Sequence, residues 1–136
     1  NEYLHINGKV SSADLIRIYK NADIALHVES FDKKYRYATR VSFSTKIIDL
    51  MASSCAIMAI CWDKHAGYTY LKKMDAAICV SDYTGIKPEL QRICYNPDLI
   101  KIYAQKAWDC GKQNHQKEKI QTYIQSVFDS VIKNVS

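Results

Sequence analysis

Cys55-Ala56-Ile57-Met58-Ala59-Ile60-Cys61 carries no charged side chain. The run is too short for a well-formed buried helix and far short of the roughly 18 apolar residues of a membrane span. Apolar residues without alternation fit a strand covered on both faces, as in a parallel sheet. Upstream, Asp23-Ile24-Ala25-Leu26-His27-Val28 reads the same way, and downstream so does 76–80. Helical periods lie between. Ser11 or Ser12 can cap a helix whose apolar positions are Leu15, Ile18 and Tyr19. Ser44 or Thr45 begins another, to about Ser54, with Ile47, Ile48, Met51 and Ala52 facing inward. A further helix fits 66–73. Tyr3-Leu4-His5-Ile6 reads as a short additional strand ended by Asn7-Gly8. After Val80 only helices follow, near 86–94, 97–110 and 115–133. The expected fold is α/β, a Rossmann-like, doubly wound parallel sheet.

Composition bounds the rest. A chain of 136 residues, 48% hydrophobic and 24% charged, fits one globular domain and excludes disorder. With 4 Gly and 2 Pro, it is neither collagen-like nor a turn-rich β sandwich. The net charge, 19 − 14 = +5, suits anionic ligands or an anionic membrane surface and does not demand nucleic acid. The 5 cysteines (55, 61, 79, 94 and 110) form an odd set with no CxxC spacing. They read as buried free thiols of a reducing compartment rather than a disulfide or zinc framework. No secretory leader and no membrane span are visible, so a cytoplasmic location is expected, with peripheral contact at the inner membrane face. Asn1 reads as the start of a piece of a longer chain.

Ligands of open α/β sheets bind beyond the carboxyl ends of the strands. Two segments reach that edge, 29–46 and 61–68. In the first, Ser42, Ser44 and Thr45 bring hydroxyls to the positive end of a helix, where free amides attract anions. Lys46 adds a point charge and Arg40 a fork of donors. Asp49 lies one turn below Thr45, placed to accept hydrogen bonds from a vicinal diol such as a ribose. A bland reading stands beside this one: a helix cap, a solvated lysine and an exposed aspartate.

The stretch 23–59 resembles the nucleotide-sugar-binding half of GT-B glycosyltransferases, the glycosyl transferases group 1 (family 4-like) class. The family pattern is an aspartate-led strand, a loop reading E-G-F-G-x-x-x-x-E, a helix reading E-A-M-A-x-G and a further strand. Here these correspond to 22–26, to the run Val41-Ser42-Phe43-Ser44-Thr45-Lys46-Ile47-Ile48-Asp49, to Leu50-Met51-Ala52-Ser53-Ser54, and to 55–59. The likeness extends weakly over about 5–110. It implies that Ser42, Phe43, Ser44, Thr45 and Lys46 hold the donor diphosphate and sugar, and that Asp49 replaces the family's ribose-binding Glu. Both loop glycines are Ser here. The family's first Glu falls on Val41, which leaves Glu29 as the nearby acid for a catalytic role. The usual Gly after the helix is Ser54. The implied activity is a metal-independent, retaining transfer from a nucleoside diphosphate sugar to a glycan or lipid-linked acceptor, with no further cofactor. On this reading residues 1–136 are one partial donor-binding domain, with an α/β core over about 1–96 and C-terminal helices over about 97–135. The acceptor-binding domain lies elsewhere, and these residues alone are expected to be inactive. The competing reading is a non-catalytic interaction module of response-regulator type. Its acidic cluster and five-strand pattern are not visible.

Four further features are weighed. His27 ends an apolar strand and fits a packed core histidine better than a substrate contact. His65, with Lys64 and Gly67, follows the third apolar run and can be a surface turn or touch the donor sugar. No His/Cys spacing announces a metal site, so no metal is expected. Lys33, Lys34, Arg36 and Arg40 interleave with Tyr35 and Tyr37, a pattern that can be solvated, hold a diphosphate, lie on lipid or stack on single-stranded nucleic acid. Nucleic acid is not expected as a partner. Ile120, Tyr123, Ile124, Val127, Phe128 and Val131 form a stripe on the last helix that is expected to face a core.

Overall fold

The computed structural model describes residues 3–135. Its elements alternate as helix α1 (Ser12–Lys20), strand β1 (Ile24–Val28), α2 (Lys33–Thr39), α3 (Lys46–Met51), β2 (Ala56–Ile60), α4 (Ala66–Lys73), β3 (Ile78–Val80), a 3-10 turn at Tyr83–Gly85, α5 (Ile86–Tyr95), α6 (Asp98–Asn114) and α7 (Lys117–Val135). The strands form one parallel sheet in the order β1-β2-β3. The α/β expectation holds. No helix among the described residues is long and apolar enough to cross a membrane.

The middle strand explains why the 55–61 run has no polar residue. Every position of β2 is buried. Alternate side chains go to opposite faces, as the pleat requires. Ile57, Ala59 and Cys61 join Ile47, Leu50 and Met51 of α3 and Tyr68 and Leu71 of α4. Met58 and Ile60 join Ile78, Val80 and Ile93 on the other face. Helix α6 serves both layers, giving Ala107 and Cys110 to the first and Ile100 and Tyr103 to the second. Each large β2 side chain contributes about 1.5–3 kcal/mol by leaving water.

Several elements differ from the sequence reading. β1 is an edge strand covered on one face: Ala25 and His27 are buried, while Leu26 and Val28 are 50% and 56% exposed. Residues 3–6 form no strand, and Tyr3, Leu4 and Ile6 are exposed. No strand of the described chain pairs with that stretch, so its local β preference finds no ladder. Residues 33–39 are a helix where no period was visible. It buries no residue, and its start is fixed by the Asp32 carboxylate, which accepts the Lys34 N–H at 2.8 Å. In α3 the inward residues are Ile47, Leu50 and Met51, whereas Ile48 is half-buried and Ala52 exposed. The helix is short and turns Leu50, not Ala52, onto β2. The stripe on α7 faces no core among the described residues, since all six of its residues are exposed.

Candidate functional site

Two loops each open a helix; one follows the carboxyl end of β2 directly, whereas β1 is separated from the other by residues 29–32 and α2. The first, 40–45, starts α3. The second, 61–65, starts α4. They are tied together where the Ala66 N–H donates to the Arg40 carbonyl at 2.8 Å. That bond joins the C-terminal end of α2 to the first turn of α4, and the start of α3 lies alongside, with Ile47 Cδ1 2.7 Å from where a Cβ on Gly67 would stand. Helix starts present amides that lack intrahelical acceptors and carry partial positive charge.

Most of the predicted anion-binding residues lie open at this edge. Ser42, Thr45, Lys46 and Asp49 are exposed and Ser44 is half-buried. Thr45 occupies the cap position of α3, yet its hydroxyl makes no cap bond and is uncommitted. Asp49 opens onto a groove of about 510 Å³ between α1 and α3, lined with it by Ser12, Leu15, Tyr19 and Ser53. Burial, reinforced by the Asp49 charge, raises the Tyr19 pKa above its usual value. Arg40 is exposed and holds the 61–65 loop through its carbonyl. Phe43 also packs through its ring. Its ring packs edge-on to Tyr70 at 5.2 Å and stacks near His115 at 6.2 Å. Tyr70 hydrogen-bonds His115 Nε2 at 2.8 Å. Phe43 thus anchors the loop to α4 and to the α6–α7 connection.

His65 is not on a surface turn. It is 2% exposed and caps α4, where its Nδ1 accepts the Gly67 N–H at 3.1 Å. His27 is 1% exposed on the neighbouring strand, its ring 6.0 Å from that of His65. Burial lowers the His27 pKa; the Glu29 carboxylate opposes this, while His65 and Lys46 add to it. Burial also pushes the Cys61 thiol up to about 12, helped by Cys79 and Glu29. Glu29 is half-buried just past β1, its N–H bonded to the Ile60 carbonyl at 3.1 Å. Lys46, Glu29, His27, Cys61 and His65 therefore share one electrostatic neighbourhood, which sequence spacing did not connect. His27, Cys61 and His65 each place a ligand-capable atom within 4.8 Å of the others.

The basic and aromatic stretch 33–40 is mostly helix α2, which buries no residue and leaves Tyr35 and Tyr37 exposed. The Arg36 guanidinium lies over Trp62 at 4.9 Å and over Tyr37 at 5.8 Å, and Tyr37 meets Trp62 edge-on. These contacts clamp α2 to the 61–65 loop. The 5 cysteines are free thiols, with Cys55, Cys61 and Cys110 buried.

Comparison of the chain with known protein families, curated proteins and solved structures returns no match.

Proposed function

We propose that the carboxyl edge of this sheet is the donor site of a glycosyltransferase, and that the chain is the donor-binding part of a GT-B-type enzyme. The observation that carries this reading is the exposed set on α3. An uncommitted Thr45 hydroxyl, the Lys46 ammonium and, one turn on, the Asp49 carboxylate all belong to one helix start. A diphosphate has its charge met by the α3 amides, Lys46 and the Ser44 and Thr45 hydroxyls. The ribose hydroxyls donate to Asp49 in the groove against α1. Positive charge and oriented amides stabilise the departing nucleoside diphosphate without a metal at the leaving group.

A backbone feature supports the correspondence. Ser54 occupies the place of the glycine that usually follows this helix in the resembled class, and it adopts the left-handed conformation at φ 65° that glycine favours. Glu29 sits beyond β1, close enough to influence His27 and Cys61. It is the acid we assign to the reacting face. The Phe43 ring anchors the donor loop, while its amide belongs to the turn that would hold the diphosphate. A sugar acceptor, glycan or lipid-linked, would be presented by a separate domain.

The test is calorimetric titration of the chain with a panel of nucleoside diphosphates, repeated with Lys46→Ala and Asp49→Ala. Each variant is expected to weaken binding of the preferred nucleotide by about tenfold, as loss of a charge-assisted contact does. Unchanged affinity in both rejects the site.

A further inference from the structure

We propose that His27, Cys61 and His65 form a transition-metal site, with zinc as its occupant, beneath the first turn of α4 at the carboxyl ends of β1 and β2. This goes beyond the donor-site reading and does not depend on it. The parallel register sets His27 beside Ala59, and Cys61, just past the end of β2, follows Ala59 on the same face. His65 returns from the loop above. The three ligand-capable atoms lie within 4.8 Å of one another, and all three residues are buried. Tetrahedral zinc holds nitrogen and sulfur at about 2.0–2.3 Å, which separates ligand atoms by about 3.3–3.8 Å. Side-chain rotations of about an ångström close the set.

Independent of that clustering, the Nε2 atoms of His27 and His65 are both buried and have no hydrogen-bond partner in the described chain. Such atoms lose hydration with nothing in return. A metal ion would offset that loss. Two imidazoles and one thiolate are borderline-soft donors suited to zinc. Gly67 keeps the space clear. A Cβ there would lie 3.2 Å from His27 Nε2 and 3.3 Å from His65 Nδ1. Three protein ligands leave a fourth position for water or for an oxygen of Glu29.

Loading has a definite chemistry. The Cys61 S–H bond breaks, its proton passes to solvent, and a metal–thiolate bond forms without any change in oxidation state. Binding through either nitrogen of His65 takes the lone pair or the tautomer that now accepts the Gly67 N–H, so that amide loses its acceptor. The first turn of α4 therefore reports occupancy.

The full 136-residue chain, stripped of metal, is titrated with Co²⁺ as the probe and then with Zn²⁺. The expected result is one equivalent of cobalt with the visible bands of tetrahedral coordination and a near-ultraviolet thiolate-to-cobalt charge transfer. Zinc then displaces the cobalt and shifts the Gly67 amide resonance. Cys61→Ser removes the charge-transfer band, and Cys61→Ser and His65→Ala each weaken zinc binding by about tenfold or more. A wild-type chain that binds cobalt without the charge-transfer band, or does not bind it, overturns the site, and that reading needs no variant to fold. So does zinc affinity unchanged in both variants. The nucleotide titration above is separate, so either assignment can fail alone.

Discussion

Strand β2 and helix α7 are both rich in apolar residues, and they end in opposite environments. All of Ala56–Ile60 is buried between two layers of helices. Ile120, Tyr123, Ile124, Val127, Phe128 and Val131 keep helical spacing, and every one is exposed. The difference teaches that apolar pattern marks a capacity for burial, while burial itself needs a partner surface. β2 has one on each face because α3 and α4 cover one side, α5 the other, and α6, distant in the chain, reaches both. The α7 stripe has none among the described residues.

The sharpest way to break that comparison is a cavity in the strand. Ile57→Ala is expected to cost about 2–5 kcal/mol in urea unfolding, since Ile57 is fully buried among α3 and α4. A loss under about 1 kcal/mol would mean that β2 is no better packed than α7. At the edge of the same layer, Gly67→Ala places a Cβ 2.7 Å from Ile47 Cδ1 and against both histidine rings. Overpacking outweighs the gain in helix propensity, for a net loss of about 1–2 kcal/mol in the same experiment.

A pH series sharpens the contrast further. Burial, with Asp75 adding and Lys72 opposing, raises the Cys79 thiol to about 11. An unfolded thiol titrates near about 8.5. Between those values the folded chain holds a proton that the unfolded chain has released. This contribution to stability is complete below about 8.5 and is lost as pH rises toward about 11. Chemical unfolding across that window should show the decline, and Cys79→Ala should make it shallower, with the buried Cys61 thiol supplying a remainder of the same sign. The smallest effect belongs to α7. Phe128→Ser should change stability by no more than about 0.5 kcal/mol, because the ring is 62% exposed. A loss as large as that of Ile57→Ala would show that the stripe is covered in solution.

Much of the order of elements was legible. The runs at 23–28, 55–61 and 76–80 named the strands, and helix α4 at 66–73 was bounded correctly. Helix α2 was not legible because it buries nothing; an aspartate cap and a tryptophan distant in sequence hold it. At the candidate site, the local part could be read. Ser44, Thr45, Lys46 and Asp49 fall within six residues, and one helix start places them together. Phe43 could not be assigned in the same way, since Tyr70 and His115 decide its position.

The sequence by itself determined the layers: period and apolar run length are local properties, and backbone geometry turns them directly into strands and helices. Only tertiary structure decided which histidine meets which cysteine. Residues 27, 61 and 65 become neighbours through the parallel register of β1 on β2, and that register is set by how whole faces pack. Burial was settled at the same level, because water leaves a side chain only when another surface arrives to displace it.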